Sequence, residues 1–377
     1  MKPHGKLGIN MFDNIYSGKK VLVTGHTGFK GSWLTAWLVK LNAQVCGISD
    51  RIPTNPSMFV ELDLESKIDH KICDIRNLEK LIEIVTCFAP DFVFHLGAQA
   101  IVSDSYKDPI NTISTNVMGT ANILEALRSI SNECTAVIIT SDKCYENVEW
   151  EWGYKETDAV GGKDIYSGSK GAAEVIFHAY QSSFFADQNR NIRLATGRAG
   201  NVIGGGDWAK DRIVVDCIKS WSEGQVVELR SPSATRPWQH VLEPLSGYLC
   251  LGAALSNDFS LHGHSFNFGP RAEVSRTVKE LLSSLSHYWG FNDASQAYRV
   301  TDNISFHEAG LLKLNCDKAL FHLKWEGSLN YEECVRFVSD WYSHYYNKRE
   351  DMLALTFDQI NEYESLAKER NLKWTMI

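Results

Sequence analysis

The chain has 377 residues, enough for about two domains, and 44% hydrophobic with 22% charged residues excludes a disordered or fibrous protein. Its 38 Lys and Arg against 46 Asp and Glu give a net charge of −8. Global attraction to nucleic acid or an anionic membrane is thereby excluded, and an anionic ligand needs a local site. No apolar run reaches the roughly 18 to 20 residues of a membrane-spanning helix, and the first twenty residues hold no apolar secretory core. Nine cysteines without a CxxC pair or metal-ligand spacing read as reduced, buried thiols of a cytoplasmic protein that needs no metal.

After a polar leader to about Gly18, the run VLVTG following Lys20 has the β-branched character of a strand buried on both faces. The next segment places Trp33, Leu34, Trp37, Leu38 and Leu41 on one helical stripe, with Asn42 as its terminator. Strands are predicted at Gln44–Ser49, near Ile72 and from Asp91 to Leu96; Leu78, Leu81, Ile82 and Val85 recur at helical spacing between the last two. A helix over Asn116–Leu127, a strand at Thr135–Thr140, a helix from about Asp164 to Gln181 and a strand at Asn191–Thr196 continue the alternation. Such alternation predicts an α/β fold, a doubly wound parallel (Rossmann) sheet over residues 19–197. Beyond Gly197 the rhythm breaks into Gly- and Pro-marked loops, which suits a smaller second domain.

The turn after the first strand, TGHTGFKG, spaces Gly25, Gly28 and Gly31 as GxxGxxG between strand and helix. Glycines permit a tight turn and close approach, and free N–H groups at a helix start attract a pyrophosphate, so Gly25, Thr27, Gly28, Phe29, Lys30 and Gly31 are read as a dinucleotide loop. Asp50 ends the second strand, where its carboxylate can take the adenosine ribose hydroxyls and would repel a 2′-phosphate; that favours NAD over NADP, although Arg51 is adjacent. Asp74 and Ile75, past the third strand, and Leu96, Gly97, Ala98 and Gln99, past the fourth, stand at carboxyl ends of strands, where ligands sit in such sheets. Asp74 is expected near the adenine.

Ser141, Asp142 and Lys143 follow the fifth strand, and Tyr166 and Lys170 form YxxxK on the next helix. Spacing i,i+4 puts phenol and ammonium on one face, and a cation beside a phenol favours phenolate. Tyr166 is therefore a candidate base for an alcohol proton while hydride leaves to NAD.

These features resemble the extended short-chain dehydrogenase/reductase family, from Lys19 to nearly the end of the chain. With GHTGFKGSWL, HLGAQ, GNVIGGGDW and TRPWQHV, the triplet Ser141–Asp142–Lys143 resembles the branch of nucleotide-sugar 4,6-dehydratases acting on CDP-D-glucose. The resemblance implies a hydro-lyase with tightly bound NAD that makes CDP-4-dehydro-6-deoxy-D-glucose, a precursor of deoxysugars in O-antigen-type polysaccharides. In it Tyr166, oriented by Lys170 and Ser141, takes the C4 hydroxyl proton as hydride passes to NAD; Asp142 protonates the departing C6 hydroxyl; and Lys143 occupies the place of the C5 base. A lysine base must be neutral, which needs burial or nearby positive charge.

By the same resemblance Ser103 lies near the sugar, Asn116 near the nicotinamide and Asn201 near the substrate pyrophosphate. Arg212 and Arg236 are candidates for bidentate phosphate contacts, with Trp238 and His240 shaping the nucleotide pocket. Trp150 and Trp152 read as packing or interface residues. The implied organisation is a leader at 1–18, a cofactor domain at 19–197 completed by about 235–265, and a discontinuous nucleotide-sugar domain at 198–234 and 266–377. A homodimer or homotetramer is implied too. A 4-epimerase or reductase of the same family, or a catalytically silent NAD sensor, are the alternatives; Asp142 and Lys143 speak against the first pair, Tyr166 and Lys170 against the sensor.

Overall fold

The computed structural model describes residues 11–187, 191–229, 232–270, 276–301, 312–348 and 351–376. Seven strands form one parallel sheet: β1 Lys20–Thr24, β2 Gln44–Ser49, β3 Asp69–Ile72, β4 Phe92–His95, β5 Cys134–Ile139, β6 Ile192–Ala199 and β7 Ser265–Phe268, in the order β7-β6-β5-β4-β1-β2-β3. The chain winds outward from β1 to β3, then returns to lay β4 on the other side of β1. That reversal opens a crevice between β1 and β4 at their carboxyl ends. Register makes the ends coincide, because Thr24 pairs with both Ile48 and His95. The loops after β1, β2 and β4 therefore face one another.

Alternate residues of each strand feed two apolar layers. Val21 and Val23 of β1 and Val137 and Ile139 of β5 enter one; Leu22, Ala136 and Ile138 enter the other. Both faces are covered, which is why the strands read as continuous apolar runs. The second layer is closed by α2 (Leu78–Phe88), α3 (Gly119–Arg128) and α4 (Ile165–Tyr180), the first by α1 (Phe29–Lys40) and, further along the chain, α6 (Leu242–Asn257). Between α4 and α6 lies α5 (Ile213–Ser222); after α6 come α7 (Val278–Trp289), α8 (Tyr331–Ser343) and α9 (Met352–Glu369).

The single stripe predicted for α1 is too narrow. Every residue from Gly31 to Leu38 is buried, because α9 covers the side of α1 turned away from the sheet. Trp37 Nε1 donates to Glu364 Oε1 at 2.8 Å, and Lys40 reaches Glu364 Oε2 at 2.8 Å. Asn42 ends the helix in the left-handed conformation, φ 62°.

Two boundaries move. Within the expected polar leader, Phe12 and Tyr16 are fully buried: Phe12 stacks on Trp374 with centroids 5.9 Å apart, and the Tyr16 hydroxyl donates to the Leu249 carbonyl at 2.5 Å. Strand β7, at 265–268, pairs with β6 in the main sheet, so residues 266–268 belong with the sheet and not with the nucleotide-sugar segment to which the sequence reading gave them.

Candidate active site

The dinucleotide loop is built on close contacts that only glycine allows. Gly25 has φ +74°, and a Cβ there would lie 2.8 Å from the Gly97 amide nitrogen, so the loops after β1 and β4 touch backbone to backbone. A Cβ on Gly31 would lie 2.1 Å from the Gly25 carbonyl oxygen, which seats the first turn of α1 directly on the loop. Gly28 caps α1 with φ −75°, its N–H donating to the Gly25 carbonyl at 3.1 Å, and Gly25, Thr27, Gly28, Phe29, Lys30 and Gly31 line the cleft. The Thr27 hydroxyl donates to the Arg51 carbonyl at 2.7 Å, tying this loop to the end of β2. A Cβ at Gly25 or Gly31 would close this cradle, and an open helix start of this kind suits a pyrophosphate.

Asp50 lines the same cleft, exposed, with Arg51 Nε 3.9 Å from its Oδ2. Asp74 and Ile75 line it as well. Asp74 is held by Arg76, whose Nε lies 3.0 Å from both carboxylate oxygens and whose Nη2 lies 2.6 Å from Oδ2. That fork keeps the Asp74 carboxyl below the usual range. Leu96, Gly97, Ala98 and Gln99 complete the wall.

Asn116, expected beside the nicotinamide, does not line the cleft. It is buried in a π-helical turn, Ser114–Met118; its Oδ1 accepts from the Gln99 N–H at 2.8 Å, and its Nδ2 donates to the Gln99 carbonyl at 3.1 Å and to Ser169 Oγ at 2.8 Å. Ser169 Oγ in turn donates to the Tyr166 carbonyl at 2.7 Å. Asn116 therefore braces the β4 loop against α4.

After β5 the chain makes a tight turn capped by Ser141. Its Oγ accepts the Lys143 N–H at 3.2 Å and donates to Asp142 Oδ1 at 2.9 Å. Ser141, Asp142, Lys143, Tyr166 and Lys170 all line the cleft. Burial pushes the Asp142 carboxyl up, opposed by Lys143, Ser141 and Lys30, which suits a group that must carry a proton near neutrality. Burial lowers the Lys170 ammonium to about 8, against the pull of Cys144 and Glu174. Lys30 is lowered to about 8 by burial and then by Arg212 and Lys170, with Asp142 acting the other way. Lys143 is half-buried, and its ammonium makes no hydrogen bond among the described residues.

The phenol departs from expectation. Burial drives Tyr166 up to about 12, and the groups that pull it back are Ser141 and Arg212 rather than Lys170. Desolvation of the phenolate outweighs the helical spacing, so the chain's own charges do not ionise it.

Ser103, Asn201, Arg212 and Trp238 also line the cleft. Ser103 Oγ donates to Asp211 Oδ2 at 2.5 Å, and Arg212 Nη1 donates to Asp207 Oδ2 at 2.7 Å. His240 belongs elsewhere: it is fully buried between Trp33 and Phe337, with centroids 5.6 and 5.5 Å away. The two-residue strand Gln239–His240 pairs with Val202–Ile203 and turns the imidazole into the core. The side chain of Arg236 lies outside the described residues.

Sequence reading missed three supporting groups. Arg76 stands two residues after Asp74, Glu174 one helical turn after Lys170, and Asp207 in GGGDW five before Arg212. Each is an opposite charge at short spacing from a chosen residue, a signal available in the sequence. His26, inside the glycine loop, is buried with Nε2 2.7 Å from His70 Nδ1, a pairing 44 residues apart that no local pattern announces.

The profile of the family described as GDP-mannose 4,6 dehydratase matches residues 22–338. The chain is 44% identical to the CDP-glucose 4,6-dehydratase of Salmonella typhimurium over 355 residues, 93% of this chain and 98% of that protein. It is 25% identical to the CDP-paratose 2-epimerase of Salmonella typhi, with 86% and 99% of the two chains covered. Among solved structures, the dTDP-glucose 4,6-dehydratase of Streptomyces venezuelae with NAD and TYD bound matches with a TM-score of 0.72 at 18% identity, over 88% of this chain and 100% of that one.

Proposed function

The chain belongs to the GDP-mannose 4,6-dehydratase family of extended short-chain dehydrogenases/reductases, and on that premise we propose that it is a hydro-lyase converting CDP-D-glucose to CDP-4-dehydro-6-deoxy-D-glucose. The observation that carries this reading is the convergence of Ser141, Asp142, Lys143, Tyr166 and Lys170 on one cleft beside the glycine loop. A buried carboxyl raised toward protonation stands there next to a phenol, the pair an elimination needs and a simple epimerisation does not.

NAD, when bound, accepts the hydride from C4 and supplies it to C6. Gly25, Thr27, Gly28, Phe29, Lys30 and Gly31 hold its pyrophosphate, Asp50 its adenosine ribose, and Asp74 with Ile75 the adenine end; Leu96–Gln99 line the remaining wall. Tyr166 removes the C4 hydroxyl proton. The resulting ketone acidifies C5, Lys143 takes that proton, and Asp142 protonates the C6 hydroxyl so that it leaves as water. Asn201, Arg212 and Arg236 take the substrate diphosphate, Ser103 the sugar, and Trp238 the wall of the nucleotide pocket.

In this reading residues 19–197, the segment 235–265 and β7 form the cofactor part, while 198–234 and the segments after 268 cover the nucleotide sugar. The protein works as a homodimer or homotetramer: Ile110, Met118 and Val175 are more than half exposed on neighbouring helices. No described helix is long and apolar enough to cross a membrane, and the nine cysteines are all unpaired, which supports a cytoplasmic, reducing location.

CDP-D-glucose deuterated at C4 is expected to give a 4-keto-6-deoxy product with deuterium at C6 and solvent hydrogen at C5. Product without label at C6, or plain inversion at C4, would overturn the reading. Turnover on CDP-, dTDP- and UDP-glucose compared side by side tests the nucleobase.

A further inference from the structure

The motif GGGDW, residues 204–208, stands outside the cofactor loop. Its glycines carry the chain past the core: a Cβ on Gly205 would lie 2.1 Å from Trp341 Cγ, so the backbone passes directly against α8. Asp207 follows, only 5% exposed. The Tyr342 hydroxyl, also on α8, donates to the Asp207 carbonyl at 2.6 Å and accepts the Asp207 N–H at 3.1 Å. One fully buried phenol thus clamps both backbone groups of Asp207.

The side chain is fixed as firmly. Its Oδ1 accepts the Ala209 N–H at 3.0 Å, and its Oδ2 accepts from Arg212 Nη1 at 2.7 Å. Each carboxylate oxygen has its own donor, so the group cannot turn without losing one of them. Arg212 differs: its side chain is 33% exposed and lines the cleft, and among the described residues its guanidinium makes this one hydrogen bond. A guanidinium carries five N–H donors in a rigid plane. A carboxylate that engages Nη1 therefore leaves donors for two oxygens of a phosphate, and a plane held in advance loses less side-chain freedom when the phosphate arrives. The asymmetry is informative, because the acid is buried and anchored while the base faces the cleft.

We propose that Asp207 is a positioning residue that presents the Arg212 guanidinium to the substrate diphosphate. The proposal rests on the reading in which Arg212 takes that diphosphate. Asn cannot replace Asp207, because it offers one acceptor oxygen where the Ala209 N–H and the guanidinium need two. Glu keeps the charge but moves the carboxylate by one methylene, away from the place where both donors meet.

Binding of CDP by calorimetry, and of cytidine by competition with CDP, tests this in the NAD-loaded protein. Asp207→Asn and Asp207→Glu are each expected to weaken CDP by roughly 5- to 20-fold and to leave cytidine within about 2-fold, since cytidine has no phosphate for Arg212 to hold. Tyr342→Phe, which frees the Asp207 backbone from α8, should show the same selective loss at about 2- to 5-fold, and it carries the test where the Asp207 variants do not fold. Added to Arg212→Ala, Asp207→Asn should weaken CDP by less than about 2-fold more, because its effect runs through the missing guanidinium. Equal loss of CDP and cytidine, or full additivity of the two substitutions, would mean that Asp207 only supports the fold, and the proposal is refuted. Parent-like CDP affinity in Asp207→Glu, or tighter CDP binding in Asp207→Asn, would mean that Asp207 merely offsets the charge of Arg212, which refutes it as well. If Arg212→Ala binds CDP as the parent does, the diphosphate reading of Arg212 has itself failed and the proposal falls with it.

Discussion

Glu174, one helical turn past Lys170, holds Arg198 by two hydrogen bonds, Nε to Oε1 at 3.0 Å and Nη2 to Oε2 at 2.8 Å. The two are 0 and 1% exposed. Thr140 and Thr196 also donate to the carboxylate, at 2.5 and 3.1 Å, and Arg198 Nη1 donates to the Tyr145 hydroxyl at 2.8 Å. The pair thus pins α4, which carries Tyr166 and Lys170, to the ends of β5 and β6. Glu174→Ala strands a buried guanidinium and is expected to cost about 3–5 kcal/mol, read as a lower denaturation midpoint. Adding Arg198→Met should recover most of that loss, since no buried charge then remains.

Tyr166→Phe removes the acceptor for the C4 proton while leaving the glycine loop intact. Absorbance at the reduced-nicotinamide band after mixing with substrate is expected to stay flat, a loss of at least about 10²-fold in the rate of C4 oxidation, with NAD affinity by calorimetry unchanged. An unaltered oxidation rate would remove Tyr166 from the base role.

Lys143→Ala separates the steps. C4 oxidation should proceed near the normal rate, and wash-in of solvent deuterium at C5, followed by NMR, should fall by roughly 10² to 10⁴-fold. Normal exchange in this variant would pass the base role to another group, for which Lys30, lowered to about 8 in the same cleft, is the next to examine.

Glu243, at the start of α6, accepts from the amides of Ser328 and Leu329 and from the Tyr363 hydroxyl. Burial raises its carboxyl to about 7, against those donors. The folded chain therefore binds this proton more tightly than the unfolded one, so the contribution of Glu243 is complete below the unfolded value near 4.5 and is lost as pH rises through 7. Melting curves from pH 4.5 to 8 should show the parent losing stability relative to Glu243→Gln by roughly 3 kcal/mol across that window. Parallel curves would place the titration elsewhere.

Met118→Glu with Val175→Glu puts two charges on the helical face proposed to join subunits. Light scattering should show a smaller particle than the parent at equal concentration, with the circular dichroism spectrum unchanged. An unchanged mass would mean that another surface joins the subunits.

The cofactor half was legible because its cues are local. A β-branched run, three glycines at fixed spacing and a carboxylate after the next strand lie within about thirty residues, and Thr24, Gly25 and Asp50 stand where that pattern puts them. What was not legible depends on distant partners. His240 follows the cleft-lining Trp238 by two positions, but its pairing with Ile203 sends the ring against Trp33. Asn116 looks like a ligand contact until Gln99 and Ser169 are seen to occupy its amide. For the Tyr166 phenol, spacing tells where a cation lies along a helix and nothing about how much water the phenolate loses. Phe12 and Tyr16 sit in a polar stretch whose partners lie far along the chain, Phe92 and the Leu249 carbonyl for Tyr16 and Trp374 for Phe12.

That last contact orders events during synthesis. Helix α1 has an outer face that is covered in part by groups about 330 residues later, Trp37 being hydrogen-bonded to Glu364, and Phe12 waits for Trp374. Until the segment carrying Glu364 and Trp374 is released, the part of this surface around Phe12 and Trp37 stays open, which makes it a natural holding site for chaperones. A protein truncated shortly before Trp374 should therefore be captured as an unfinished chain even though every residue of its cofactor loop has already been made.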